Sequence, residues 1–322
     1  MHKLKNIIII LYFTTIFVAL VSLTGCNSGG KINKVGMLVE HSINDQTWGE
    51  KGYNGLLQIK DKYNVDVFFK EEVKTQEEVN KAVGEFTTQG VNLIFGHSSI
   101  YGKYFNNIKE NYPDIQFVYF NGAYKGDNLT SLHFNSNAMG FFAGMIAGKM
   151  TETNQVGIIG AYEWQPEIEG FYEGVSYQNP DATISMNFVN DWDNTERAIE
   201  IFSEMNNNHV DVFYPAGDSF SKEIIDRVRQ QNKYAIGFVS DQSELGRHTV
   251  LTSTVQHVDK LYLLAAEKFD KGNLDGGIFT YDFEDEVISL GTFSPEMPNV
   301  FKRYIEDEIE KYTETGLLPN ER

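Results

Sequence analysis

Two tryptophans stand in segments of the kind that hold ligands. Trp48 belongs to His41-Ser-Ile-Asn44-Asp45-Gln-Thr-Trp48-Gly49, after an apolar run at 35–39, and Trp192 belongs to Asn190-Asp191-Trp192-Asp193-Asn194, after an apolar stretch at 184–189. An indole presents a large, flat, polarisable face that suits an aromatic ring. Each tryptophan is therefore either a staple against its own sheet or a stacking platform, and two in matching loops of facing lobes would sandwich a planar ligand. Asn44 and Asp45 offer hydrogen-bond acceptors and a helix cap beside the first. Further candidates follow other apolar runs: Gly96-His97-Ser98, Asn121-Gly122, Ala216-Gly217-Asp218-Ser219 and Ser240-Asp241-Gln242. Gly217 would let a helix N-terminus approach a ligand oxygen, although a loop glycine more often serves a turn. Trp164 either lines a hinge or packs.

Catalytic chemistry finds little support. The seven histidines are scattered without metal spacing, and HExxH, GxSxG and P-loop patterns are absent. Asp191 and Asp193 resemble half of a calcium loop, but the glycine and closing glutamate of that loop are missing at their offsets. A solvated loop with helix-capping acids is the simpler reading. No enzyme activity, cofactor or metal is expected.

The elements that must position these loops alternate in type. Residues 35–39, 66–69, 92–95 and 116–120 read as strands, with helices between them. Thr75-Gln-Glu-Glu78 is a capping box, in which the Thr75 hydroxyl accepts a first-turn amide and Glu78 reaches back. Val79, Val83 and Phe86 then share one face, and Gly90 closes the helix. Residues 101–111 read as a helix and the Gly- and Ala-rich 138–150 as a closely packed one. The series then restarts: strands at 155–159, 184–189, 210–214 and 234–239, helices at 166–177, 195–206 and 221–231. Such alternation predicts parallel sheets with right-handed crossovers. Two series predict two α/β lobes, 35–135 and 136–250. Residues 251–322, with shorter and less regular elements, are expected to cross between lobes and be shared by both. Ligands in such sheets sit beyond the carboxyl ends of the strands, here in a cleft between the lobes.

The N-terminus is a targeting segment. Lys3 and Lys5 precede an apolar run at 7–23, and Leu23-Thr24-Gly25-Cys26 follows. A charged start, an apolar middle and small residues make a secretory signal over 1–25, although an uncleaved spanning helix of ~20 residues is nearly matched. Cys26 is the only cysteine, so an internal disulfide, a zinc site and a redox pair are excluded. Its setting resembles the bacterial lipoprotein lipobox. That resemblance implies a diacylglycerol thioether on Cys26 and a lipidated tether over 26–34, each buried methylene contributing ~0.8 kcal/mol of membrane affinity. The formal charge is −18, and residues 1–25 carry two lysines and no acids, which leaves −20 after cleavage. Such a surface repels phosphate backbones, so direct nucleic-acid binding is not expected.

Several stretches carry a family resemblance over nearly the whole chain after Cys26: Val35-Gly-Met-Leu38 with Asp45-Gln-Thr-Trp48, Gly140-Phe-Phe-Ala-Gly144, Gly170-Phe-Tyr-Glu-Gly174, Ala235-Ile-Gly237 with Asp241-Gln242, and Val250-Leu-Thr-Ser253. The chain resembles the basic membrane protein lipoproteins, which are similar to the nucleoside-binding receptors of ABC importers. The resemblance implies a type I periplasmic-binding-protein-like fold with parallel sheets flanked by helices. It also implies a lipid anchor outside the cytoplasm, a nucleoside-like ligand clamped by Trp48 and Trp192, and a permease partner. Polar contacts of the family depart here. Gly49 replaces an asparagine, Asn121 an aspartate, Val239 the aspartate that holds the ribose, and Gln256 a lysine. A buried hydroxyl left without its partner costs about 1–3 kcal/mol. Ile43 to Gly49, Trp164-Gln-Pro-Glu167, Tyr214 to Asp218 and Leu251 to Gln256 match a branch described as regulating competence. Solute capture for an importer is the leading expectation. The alternative is a regulator acting indirectly from the membrane through a protein partner, with altered or lost ligand binding.

Overall fold

The computed structural model describes residues 31–43 and 48–322. The expected signal, the expected lipidation site Cys26, the start of the expected tether, and the candidate residues Asn44 and Asp45 lie outside the described residues.

The first sheet is built from β1 (Lys34–Leu38), β2 (Asp66–Lys70), β3 (Leu93–Gly96), β4 (Gln116–Phe120), β5 (Leu129–Phe134) and β11 (Gly277–Tyr281). Its order is β11-β5-β4-β3-β1-β2, and every pairing is parallel. The second sheet contains β6 (Gln155–Gly160), β7 (Thr183–Phe188), β8 (Val212–Ala216), β9 (Tyr234–Val239), β10 (Val250–Gln256) and β12 (Ile288–Leu290). Its order, β12-β10-β9-β8-β6-β7, repeats the first sheet's plan, with β12 antiparallel to β10. The central strands are buried along their whole length, as parallel strands covered on both faces must be.

The helices follow from capping and spacing. α1 (Trp48–Tyr63) leads from β1 to β2. The Thr75 capping box starts α2 (Gln76–Thr88), where Val79, Val83 and Phe86 are buried and Gly90 follows at φ 83°. α3 (Ile100–Ile108) continues as a 3-10 turn to Asn111. In the second lobe, α6 (Thr195–Asn207) is capped by Asn194, whose side chain accepts from the Arg197 amide, and α7 (Phe220–Gln230) follows β8.

Between the lobes, α4 (Ser136–Met150) and α5 (Pro166–Gln178) pack side by side and parallel. Gly140, Gly144 and Gly148 face Gly170 and Gly174. A Cβ on Gly144 would lie 2.2 Å from the Phe171 carbonyl oxygen, and one on Gly174 1.9 Å from that of Phe141. Only glycine permits this backbone approach. The seam brings the N-termini of both helices to the same place.

After Val250 come two full-length helices, α8 (Val258–Asp270) of 13 residues and α9 (Asn299–Thr315) of 17. The expectation of shorter, irregular elements missed their amphipathic faces. α8 leaves the second sheet and packs on α1, where Gln58 donates to Asp259 at 2.8 Å. β11 then joins the first sheet, and β12 returns to the second. α9 packs on α4 through Tyr312 and Phe142.

Candidate functional site

Where the two sheets meet, their strand ends enclose a cavity of about 360 Å³. Its lining comes almost wholly from residues at or just beyond the carboxyl ends of strands. Val39, Glu40 and His41 follow β1, His97, Ser98 and Ser99 follow β3, Phe120 ends β4 and Asn121 follows it. The second lobe supplies Trp192 and Asp193 after β7, Asp218 after β8, Phe238 and Val239 of β9, and Gln256 of β10. The N-termini of α4 and α5 add Ser136 and Glu167. This is the crevice that parallel-sheet topology dictates.

All three tryptophans of the chain line it. Trp48 is held rigidly. Its ring stacks on His97 with centroids 4.8 Å apart and 13° between planes, and its Nε1 donates to the His97 carbonyl at 3.2 Å. His97 is buried, its Nε2 2.7 Å from the Trp48 carbonyl oxygen and its Nδ1 3.0 Å from the Tyr262 hydroxyl. Gly52 makes room for that imidazole, since a Cβ there would lie 2.4 Å from its Cε1. Phe120 and Phe134 meet Trp48 nearly perpendicularly. Trp48 is thus both staple and wall.

Trp192 belongs to a second aromatic group. Tyr162 and Trp164 stack at 5.3 Å, and Trp192 packs steeply against both, at 5.3 and 5.9 Å. Trp164 is 63% exposed, a large ring left in water at the cavity's mouth. Asp193 is fixed by the Ser219 hydroxyl, and its amide donates to Asp191 at 2.7 Å. These two acids serve loop geometry. Among the described residues no cluster of His, Cys, Asp and Glu has the makings of a metal site.

The polar floor was less visible in the sequence. Gln256 is buried, and its Nε2 donates to the Ser136 hydroxyl at 3.2 Å. Glu167 is only 5% exposed, and one of its carboxyl oxygens accepts from Gln165 Nε2 at 2.9 Å. Burial pushes the Glu167 carboxyl above the usual carboxylate range, the Gln165 hydrogen bond opposing some of that rise. Asn121 just after β4 and Val239 at the end of β9 stand at the ends of matching strands, and both sit in the left-handed region, at φ 54° and 60°.

Trp48, Asn121, Trp192, Asp218 and Gln256 therefore come together around one space. Two other candidates stand apart from it. Gly217 lies under Phe220, whose ring would be 2.0 Å from an added Cβ, so its missing side chain serves packing. Asp241 turns away and accepts from the Thr292 amide and hydroxyl at 3.1 and 2.6 Å. Burial would raise its pKa, but these bonds and one from Ser243 hold it below the usual range. Gln242 beside it is a strut, bonded to Phe238, Ser253 and Ser221. Glu167, Ser136, His133 and Glu40 also line the space, and sequence alone did not single them out as site residues. Glu167 alone left a trace, as an acid next to a helix-initiating proline.

The comparisons with known proteins fit this architecture. The model of the Bmp family, described as ABC transporter substrate-binding protein PnrA-like, matches residues 32–322. The transcriptional activator protein med of Bacillus subtilis (strain 168) is 48% identical over 307 residues, covering 94% of this chain and 97% of that protein. The crystal structure of a transcriptional activator of the comK gene from Bacillus halodurans superposes with a TM-score of 0.84 at 44% identity, over 89% of this chain and 100% of that one. An ABC transporter solute-binding protein from Conexibacter woesei shares the fold with a TM-score of 0.73 at 15% identity, over 89% of this chain and 99% of that one.

Proposed function

We propose, for a chain that belongs to the Bmp family of PnrA-like ABC transporter substrate-binding proteins, a role as a membrane-anchored regulator of competence that senses a small planar ligand in its inter-lobe cleft. The chain has a binding protein's fold and family, not an enzyme's. The observation that carries the regulatory reading is the end-to-end likeness to med, 48% identical over 94% of the chain. This reverses the order of the two readings the sequence supported, since solute capture for an importer had led.

Val239 supports the same choice. It stands where the nucleoside-binding members are expected to hold the ribose, and it has no group to do so. The cavity nonetheless keeps aromatic walls and buried polar groups, which favours an altered ligand over a lost one. Ligand binding would close the lobes, and the closed form would be read by a membrane protein partner, in place of a permease.

Anchoring rests on the lipobox around Cys26. Among the described residues no helix is long and apolar enough to cross a membrane. A formal charge of −18 opposes direct contact with DNA, so the effect on transcription is indirect.

Complementation tests the role. Expressed in a Bacillus subtilis strain lacking med, this chain is expected to restore transformation frequency, and the Cys26→Ala chain to fail to do so. A chain that reaches the membrane in normal amount without restoring competence overturns the reading.

A further inference from the structure

We infer that the ligand of this cleft is an organic cation with a flat ring, its positive charge matched by the carboxylate of Glu167. The inference rests on the reading of the cavity as a ligand site and adds the charge of what enters it.

The lining is one-sided in charge. It contains the carboxyl groups of Glu40, Glu167, Asp193 and Asp218, and no lysine or arginine among the described residues. Lys51, a partly buried cation in the neighbourhood, is outside the lining, with its Nζ on the Gln256 carbonyl oxygen at 2.9 Å.

Three of the four acids are at least partly open to water, and two have hydroxyl donors: Glu40 takes the Ser98 hydroxyl at 2.9 Å, and Asp193 that of Ser219. Glu167 differs. It is 95% buried, its carboxyl is hydrogen-bonded only by neutral donors, the Gln165 side-chain amide and its own backbone N–H, and no cation pairs with it among the described residues. Its backbone is fixed in place. The Glu167 backbone lies against Gly140 of α4, where a Cβ would come 2.1 Å from its carbonyl oxygen. A buried acid without a counter-charge is costly when ionised, so a cation placed beside it replaces what the fold withholds. The walls suit the same guest. Indole faces attract cations through the ring quadrupole, and all three tryptophans of the chain are here. A neutral nucleoside uses the stacking and leaves the acid unmatched.

Binding is then coupled to a proton. In the empty cavity burial favours the neutral carboxyl of Glu167. The groups that share the space are Glu40 and His41 after β1, His97 after β3, His133 of β5, Asp193 after β7 and Asp218 after β8, with Tyr214 of β8 behind. A cation entering beside Glu167 stabilises its ionised form, so a proton leaves and affinity rises with pH.

The test is calorimetric titration of the full chain in detergent with N1-methyladenosine, a cation, and N1-methylinosine, its neutral counterpart. The cation is expected to bind about tenfold tighter or more, with a heat that varies with buffer ionisation because protons are released. In Glu167→Gln both the preference for the cation and the buffer dependence disappear. Should that variant fail to fold, the buffer dependence of the unmodified chain decides. Equal affinity for the two, or a preference for the neutral one, overturns the charge assignment and leaves the planar-ligand reading standing. A cation preference that persists in a folded Glu167→Gln overturns the role of that residue. Binding of neither by a folded chain overturns the cleft reading itself.

Discussion

Val239 places a side chain branched at Cβ at φ 60°, in a backbone region that such residues rarely occupy. Its counterpart in the first lobe, Asn121 at φ 54°, is a residue type that tolerates that region. The strand end therefore keeps a shape suited to Asn, Asp or Gly while holding an apolar group against the cavity. Val239→Asn should stabilise the protein by about 1 kcal/mol, the scale of left-handed strain in a non-glycine residue, read as a higher urea midpoint; a lower one would contradict the strain argument. Glu167 carries a pH signature of its own. Its folded pKa is raised by burial, so the native state holds the proton over a range of pH in which the unfolded chain has lost it. Stability of the empty protein then falls as pH rises from the ordinary glutamate range through the raised value, and the loss persists above it. Glu167→Gln should be the flatter of the two in a series of melting temperatures from pH 4 to about pH 8.

Between elements, the seam of α4 and α5 makes the sharpest prediction. Gly144→Ala forces a Cβ into the Phe171 carbonyl and must push the paired helices away from each other. A loss of about 2 kcal/mol or more is expected from overpacking. Gly84 is the control, since it lies inside α2 with open space where its Cβ would be. Gly84→Ala should stabilise by up to about 1 kcal/mol through helix propensity. Equal effects of the two alanines in chemical denaturation would refute the packing account. The seam also sets Ser136 and Glu167 at the cavity floor, so Gly144→Ala should weaken ligand binding from a distance and Gly84→Ala should not.

At the scale of the whole molecule, the crossings between lobes meet in one network. Asn135, where β5 passes into α4, donates to Asp282 and to the Tyr312 hydroxyl, each at 2.7 Å, and Tyr312 donates to Asp282 at 2.5 Å. Asp282 follows β11, so the network ties two crossings to α9. Burial, and then the hydrogen bond to Asp282, keep the Tyr312 hydroxyl protonated far beyond the normal range. Tyr312→Phe removes two of the three bonds and should cost about 1–2 kcal/mol. It should also loosen the set of the lobes, seen as a larger radius of gyration in X-ray scattering of the empty protein. An unchanged radius with an unchanged melting temperature would show that the network has no mechanical role.

The elements were legible because their causes are local. Apolar runs marked most strands, the Thr75 capping box marked α2, and the small residues of 138–150 announced a tightly packed helix. The rule that ligands sit beyond parallel strands then pointed to loops, and Trp48 and Trp192 do line one space. β5 escaped because Thr130, Ser131 and His133 interrupt its apolar pattern. Distant or loop partners satisfy them, as when Thr130 donates to the Asp275 carbonyl at 3.0 Å and Ser131 to that of Gly122 at 2.6 Å. Gly217 and Asp241 looked like cleft residues because they follow strands, but Phe220 and Thr292 engage them. Glu167 reads in sequence as an ordinary first-turn acid facing water. Only the packing of α5 against α4 and the strand ends buries it at the cavity. Helix period, caps and strand runs are properties of neighbouring residues, so the sequence by itself determined them. Burial and charge balance depend on chain segments far apart in sequence, so only the tertiary structure decided which acid lies buried without a counter-charge, among the described residues, in the cavity the tryptophans line.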